Sequence, residues 1–353
     1  MAGGKFILPF ALLIQICSVT VTASQLPLFP AILVFGDSTV DAGNNNYIST
    51  LFRGNHPPYG RDFPGGISTG RFSNGKLATD FLASMLNIKT TVPAFFDPHL
   101  SDFDIKTGVS FASGGAGYDD ITNFATAIPV THQIPNFANY IERLRRIVGI
   151  NEATGIINNA IVVLSCGAND MAFNFYGNPS RSARVTVIDY QYFLLGKMNY
   201  TVQGLYNLGI RNMMITGLPP VGCLPIQMVL KRRNLLSPVC ITEQNTDSVI
   251  YNKKVLKLLP IMEKLYPGLK LGYANIHDPL LEMTEQPQKF GFQVTNMGCC
   301  GTGKVEGGPL CNILSPTCVN SSTHVFWDSI HPSQAAYSYV AQHLYRYVVP
   351  KFL

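Results

Sequence analysis

Charge is scarce in this chain. Asp, Glu, Lys and Arg make up 13% of its 353 residues, about half the share usual in a soluble globular protein. The net charge of +5 is small for that length. The basic clusters, Arg143/Arg145/Arg146 and Lys231-Arg232-Arg233, are short and lack interleaved aromatics. They read as solvated faces or loops, and nucleic acid is not expected as a partner. No Gly-x-Gly-x-x-Gly follows the first strand-like run, which argues against a dinucleotide-binding oxidoreductase. Two properly spaced Cys-x-x-Cys pairs with nearby His are also missing, which disfavours zinc. No internal repeat and no linker divide the chain. With 46% hydrophobic residues, what is there suffices for one large core.

The one long apolar run is N-terminal. Lys5 supplies a positive start, Phe6 to Val21 is almost wholly apolar, and Val21-Thr22-Ala23 fits the small-residue cleavage rule. The run falls short of the ~20 residues a spanning helix needs, and no charged stop-transfer flank follows. Residues 1–23 are therefore expected to be a signal peptide and 24–353 a secreted domain without stable membrane insertion.

Eight cysteines suit that compartment. Cys17 leaves with the leader, and Cys166, inside an apolar run, is expected to be a buried free thiol. Cys223, Cys240, Cys299, Cys300, Cys311 and Cys318 form an even set, for which disulfides are favoured over zinc on compartment grounds. Cys223–Cys240 would close one local loop, leaving the other four to pair within 299–318. Vicinal Cys299 and Cys300 fit a mutual bridge badly. Asn199-Tyr200-Thr201 and Asn320-Ser321-Ser322 are glycosylation sequons, whereas Asn178-Pro179-Ser180 is blocked by its proline.

Along the chain, apolar strand-like runs alternate with helical periodicity. Strands are expected at 31–36, Val109–Ala112, Ala160–Ser165, 212–216 and Leu269–Ala274. Helices are expected over Leu77–Leu86, Ile134–Val148, Val185–Asn207, Gln244–Tyr266 (kinked or broken at Pro260) and Ser333–Val348, with Pro332 at the first turn of the last. Alternation of this kind predicts an α/β domain with a parallel sheet and right-handed crossovers. Residues 42–75 read as a long loop holding two misleading strings. Gly66-Ile67-Ser68-Thr69-Gly70 matches a nucleophile elbow but lacks the strand before it and the helix after it. Gly70 to Lys76 nearly matches a phosphate loop, but Leu77 stands where Ser or Thr would bind magnesium.

Three strands end in turns with chemical potential: Gly36-Asp37-Ser38, Ser113-Gly114-Gly115-Ala116-Gly117 and Gly167-Ala168-Asn169-Asp170. The C-terminal stretch adds Asp328 and His331. Acyl transfer needs a nucleophile, a base, a group orienting that base, and oxyanion donors. Ser38, His331 and Asp328 are candidates for the first three. The amides of Ser38 and Gly115 and the side-chain amide of Asn169 are candidates for the fourth. No metal ligand set accompanies them.

These blocks resemble a plant-type GDSL esterase/lipase of the SGNH hydrolase superfamily. The resemblance rests on Phe35-Gly36-Asp37-Ser38 with Asp41 and Gly43-Asn44-Asn45-Asn46, on Gly70-Arg71-Phe72-Ser73-Asn74-Gly75-Lys76, and on Phe111 to Gly117. It continues through Gly167-Ala168-Asn169-Asp170, Gly217-Leu218-Pro219-Pro220-Val221-Gly222-Cys223 and Phe326-Trp327-Asp328-Ser329-Ile330-His331-Pro332. It implies a single flavodoxin-like domain with a five-stranded parallel sheet of order 2-1-3-4-5. It also implies a Ser38–His331–Asp328 triad with Ser38, Gly115 and Asn169 as oxyanion donors, and no cofactor. Thr39 replaces the usual leucine. Ser110 replaces an asparagine, and looser hydrogen bonding near Gly115 is expected from that change.

The expectation is a monomeric serine esterase or lipase, placed by the resemblance in the apoplast or cell wall. Its substrate would be a small-molecule, lipid or polysaccharide ester. Loops 42–75, 171–183 and 280–325, with Phe173, Phe175, Tyr176, Phe290 and Phe292, are expected to shape its pocket. The rival reading is a catalytically silent secreted binding protein on the same fold.

Overall fold

The apolar run that ends at Gly36 forms a strand buried along its whole length, as a central parallel strand requires. In the computed structural model, which describes residues 1, 3, 27–122, 126–232 and 239–353, β1 (Ile32–Gly36) is followed by α1 (Ala78–Met85), α2 (Asp102–Thr107), α3 (Val130–Val148) and α4 (Ile150–Asn159). Next come β2 (Ile161–Ser165), α5 (Pro179–Ser182), α6 (Val187–Asn207), β3 (Asn212–Thr216), α7 (Pro225–Arg232), α8 (Thr242–Leu265) and β4 (Lys270–Ala274). The chain closes with α9 (His277–Glu285), β5 (Val294–Gly298), β6 (His324–Phe326) and α10 (Gln334–Tyr347). The expected leader, with Cys17, lies almost wholly outside the described residues, as does Arg233.

Strands β1, β2, β3 and β4 are neighbours in that order, every pair parallel. The fifth strand expected over Val109–Ala112 is reduced to one parallel bridge, Val34 to Ser110, on the free edge of β1. Val34 N–H donates to Val109 O at 3.1 Å and Phe111 N–H to Val34 O at 2.7 Å. The segment stays short because glycine turns bound it. Before it, Gly108 (φ 97°) lies so close to Ile32 that a Cβ would sit 1.9 Å from the Ile32 carbonyl oxygen. β5 and β6 form a separate parallel pair.

Two sets of mutually packed helices cover the sheet: α1, α10 and α9, and α2, α3, α6 and α8. Polar caps define several of their starts. Thr186 Oγ1 accepts from Asp189 N at 3.2 Å ahead of α6, and Ser333 Oγ accepts from Ala336 N at 3.3 Å ahead of α10. Ser333 is thus the cap of α10 and Pro332 precedes the helix, one position earlier than expected. Pro260 does not break α8, which runs continuously from Thr242 to Leu265. It faces solvent while Val255, Leu259 and Met262 are buried, so packing on the inner face outweighs one lost bond on the outer.

The disulfides are Cys223–Cys240, Cys299–Cys318 and Cys300–Cys311, and Cys166 is a buried free thiol. The vicinal pair thus sends its two sulfurs to different partners. The bridges span 17, 19 and 11 residues, and closing loops of that size stabilises a chain by about 3 kcal/mol each. Thermal melts with and without a thiol reductant are expected to differ by many degrees. Coincident melts, with reduction verified by thiol titration, would contradict that share of the stability.

Candidate active site

β1 ends where only glycine fits. A Cβ on Gly36 would lie 1.8 Å from the Ser165 carbonyl oxygen, and its φ is 139°. Gln133 of α3, fully buried, grips the same residue from both sides: Gly36 N–H donates to its Oε1 and its Nε2 donates to Gly36 O, both at 2.8 Å. The chain then turns sharply, with Asp37 Oδ1 accepting from Thr39 N (2.9 Å) and Thr39 Oγ1 (2.7 Å). Ser38 stands at the apex of this turn.

Its Oγ meets His331 Nε2 at 2.8 Å. His331 Nδ1 lies 2.8 and 3.0 Å from the two carboxylate oxygens of Asp328. Local geometry explains the Asp-x-x-His spacing: Asp328 Oδ1 also accepts from the backbone N–H of Ile330 (2.8 Å) and of His331 (2.7 Å), closing a turn around the pair. Asp328 and His331 have no solvent exposure and Ser38 has 3%. Asp328 Oδ2 accepts a further bond from the Tyr59 hydroxyl at 2.6 Å, and that hydroxyl accepts from Gly308 N–H at 2.7 Å. Burial first, and the neighbouring Asp328 second, push the Tyr59 phenol well above its ordinary pKa, so it remains a donor.

Phe72 stacks on the imidazole of His331, with centroids 5.1 Å apart, and on Phe52 at 4.7 Å. The stretch Gly70 to Lys76 that imitates a phosphate loop is therefore the brace of the site. Arg71 makes a buried bidentate pair with Asp80 of α1, both bonds 2.8 Å, and donates to the carbonyls of Ala42 and Val92. Asn74 Oδ1 accepts from Gln334 N–H at the start of α10 at 2.8 Å. Ser68, the serine of the false elbow, donates to Tyr59 O at 2.6 Å.

The amide of Gly114 is engaged by Asp41 Oδ2 at 2.9 Å. Among the described residues the amides of Ser38 and Gly115 have no hydrogen-bond partner, and Gly115 holds φ at 90°. Asn169, just past β2, donates through Nδ2 to Ala116 O at 2.9 Å, which ties it to the Gly115 loop. The looser bonding expected from Ser110 is not seen. Its hydroxyl donates to Val40 O at 2.9 Å, and Asn44 Nδ2 reaches the carbonyls of Ser110 and Ala112 at 2.8 Å each.

Three buried carboxylates surround these elements. Burial pushes Asp41 up to about 6, against the amides of Gly43, Gly114 and Asn44 that it accepts. Burial pushes Asp170 up to about 6, against Thr122 Oγ1 and the amides of Asp119 and Tyr118. Asp37 is raised by burial, opposed by its bonds from Thr39 and by the nearness of His331. No group of three His, Cys, Asp or Glu among the described residues is placed to hold a metal.

Ser38 and Asn169 line one cavity, while Gly115 is not on its wall. Of the loops expected to shape the pocket, only Ala172, Phe173 and Leu280 reach this cavity, and nothing from 42–75 does. Phe175 instead stacks on Tyr190, Tyr176 bonds Asp247 at 2.6 Å, and Phe290 and Phe292 pack on Tyr339. Sequence reading missed Tyr59 and Gln133 altogether; neither carries a local pattern that points to the triad.

The chain matches the model of the GDSL-like Lipase/Acylhydrolase family over residues 32–344. Three GDSL esterase/lipases of Arabidopsis thaliana are 53%, 52% and 51% identical to it. The alignments cover 94%, 94% and 96% of this chain and 92%, 92% and 95% of those proteins.

Replacing Arg71 by Met leaves Asp80 buried without its cation, a loss that typically costs about 3–5 kcal/mol. Urea unfolding of Arg71→Met should show a loss of that size. A loss below about 1 kcal/mol, the range of an exposed pair, would mean the brace does not depend on this pair.

Proposed function

Because the chain belongs to the GDSL-like lipase/acylhydrolase family, whose members are carboxylic ester hydrolases, we propose that it cleaves esters through Ser38, His331 and Asp328 by way of an acyl-enzyme. The observation that carries this reading is the unbroken bonded line from Asp328 through His331 to Ser38 at the wall of an apolar cavity.

In this scheme Ser38 Oγ adds to the ester carbonyl carbon while His331 Nε2 takes the hydroxyl proton. Asp328 holds Nδ1–H and stabilises the imidazolium. The developing oxyanion is received by the unpartnered amides of Ser38 and Gly115 and by Asn169 Nδ2. Collapse breaks the bond to the alcohol oxygen, which takes the proton from Nε2. Water then adds to the acyl carbon as His331 removes its proton. The second collapse frees the acid and returns a proton to Ser38 Oγ.

The same proposal makes residues 1–23 a removed signal peptide and 24–353 a secreted, monomeric hydrolase of the apoplast or cell wall. Three disulfides support an oxidising compartment, and no described helix is long and apolar enough to cross a membrane. Asn320 is exposed, and Asn199 is half-buried midway along α6; both are proposed glycan acceptors.

A fluorophosphonate serine probe is expected to label the wild type and not Ser38→Ala. An unlabelled, folded wild type would favour a silent binding protein instead. Asn169→Ala should lose roughly 10²–10³-fold in kcat, and an untouched kcat would remove Asn169 from the oxyanion site.

A further inference from the structure

Between β5 and β6 the chain makes a loop that is pinned at its base and apolar at its tip. The disulfides Cys299–Cys318 and Cys300–Cys311 close the base, and Gly301 N–H donates to Pro316 O at 2.7 Å. Inside the larger of these loops Leu310, Ile313 and Leu314 are exposed by 60%, 76% and 89%. Single apolar side chains are ordinary on a protein surface, but three on one turn form a patch. Val319 is exposed as well, but it neighbours the Asn320 sequon and is left out of that patch.

The backbone of the turn is satisfied largely from within. Leu314 N–H donates to Asn312 Oδ1 (3.0 Å), Ser315 N–H to Asn312 O (2.8 Å) and Asn312 N–H to Ser315 Oγ (3.1 Å). Asn312 Nδ2 donates to Pro309 O at 3.1 Å and Ser315 Oγ to Leu310 O at 3.2 Å. The polar side chains are thus engaged on their own turn, and the apolar ones are left to solvent. A turn that carries its hydrogen bonds internally leaves water with little penalty, which most loops cannot do.

Charge is absent too. No Asp, Glu, Lys or Arg lies between Glu306 and Asp328, and burial holds His324 below its ordinary pKa. An anionic membrane or an acidic protein finds no cation here. Three side chains also fall far short of the ~800 Å² that a stable protein interface takes from each partner, which disfavours a second copy of the chain. The patch adjoins the candidate site. A Cβ on Gly307 would lie 2.9 Å from Ile330 Cδ1, and half-buried Ile330 lines the cavity at Ser38, whose wall also includes Leu82 of α1 and Val340 of α10.

We infer that this turn docks the protein on a lipid surface without net charge, with Leu310, Ile313 and Leu314 entering its apolar layer. Resting on the ester-hydrolase reading, that docking brings esters held in the surface to Ser38.

The test begins with sedimentation of the full chain with phosphatidylcholine vesicles, which needs no turnover. The wild type should pellet with them and continue to do so in high salt, which screens charge. Ile313→Ser combined with Leu314→Ser should weaken partition roughly tenfold or more. Leu314→Trp adds a surface indole to the one buried tryptophan, Trp327, and its emission should shift to the blue on the vesicles. The double variant should keep its kcat/KM on dissolved p-nitrophenyl acetate and lose roughly tenfold on p-nitrophenyl palmitate carried in the vesicles. A wild type that stays in the supernatant overturns the inference, as does a double variant that pellets equally well or an unshifted Leu314→Trp emission. Binding confined to phosphatidylglycerol vesicles and abolished by salt overturns it too. Vesicle binding with neither fluorophosphonate labelling nor turnover of any ester would instead overturn the esterase reading and leave the docking surface standing.

Discussion

One hydrogen bond, from Ser38 to His331, joins residues 293 positions apart, and most of what surrounds it keeps those two ends in register. The β1 side is fixed by the glycine contact with β2 and by the two-sided grip of Gln133. The C-terminal side is fixed by the Asp328 turn, by Tyr59 and by the ring of Phe72. The segment 70–76 spans the gap, with Arg71 pinned to α1, Phe72 under the imidazole and Asn74 holding the start of α10. A stretch without helix or strand thereby acts as a rigid strut. Its backbone is held at so many points that the side chains it carries are positioned as firmly as those of a helix.

Asp37, Asp41 and Asp170 sit in this region without a bidentate cation of the kind Asp80 has in Arg71. Backbone amides and hydroxyls take the place of a counterion. Such bonds favour the charged form, but burial outweighs them and the net shift is upward for all three. The gain is geometric: Asp37 fixes the turn that carries Ser38, Asp41 holds the amide next to Gly115, and Asp170, next to Asn169, fixes the Tyr118–Thr122 turn.

Much of the site was legible because its members announce themselves locally. Ser38 and Asn169 follow buried apolar runs, and Asp328 and His331 share one turn. The sheet was readable for the same reason, except that Val109–Ala112 has strand composition and too little length between its glycine turns to pair beyond isolated bridges from Ser110 to Val34 and Ala94. What stayed hidden depends on contacts far apart in sequence. Tyr59 reaches Asp328 across 269 residues and Gln133 reaches Gly36 across 97, and no periodicity encodes either. The aromatic loop residues misled in the opposite direction. Phe175, Phe290 and Phe292 are spent on helix and loop packing, while the wall of the cavity comes from ordinary helix positions such as Leu82 and Val340. Those read only as core.

The diverging vicinal cysteines have a consequence beyond stability. Cys299–Cys318 and Cys300–Cys311 fold the segment between them back on itself, and Gly308 on that segment donates to the Tyr59 hydroxyl that in turn supports Asp328. Two largely buried disulfides are thus linked, through one amide and one phenol, to the carboxylate that His331 meets. The Cys300–Cys311 bridge closes the loop that carries Gly308 and so restrains the amide that reaches Tyr59. The vicinal cysteines therefore tie the cysteine-rich segment, rather than the sheet, to the support of Asp328.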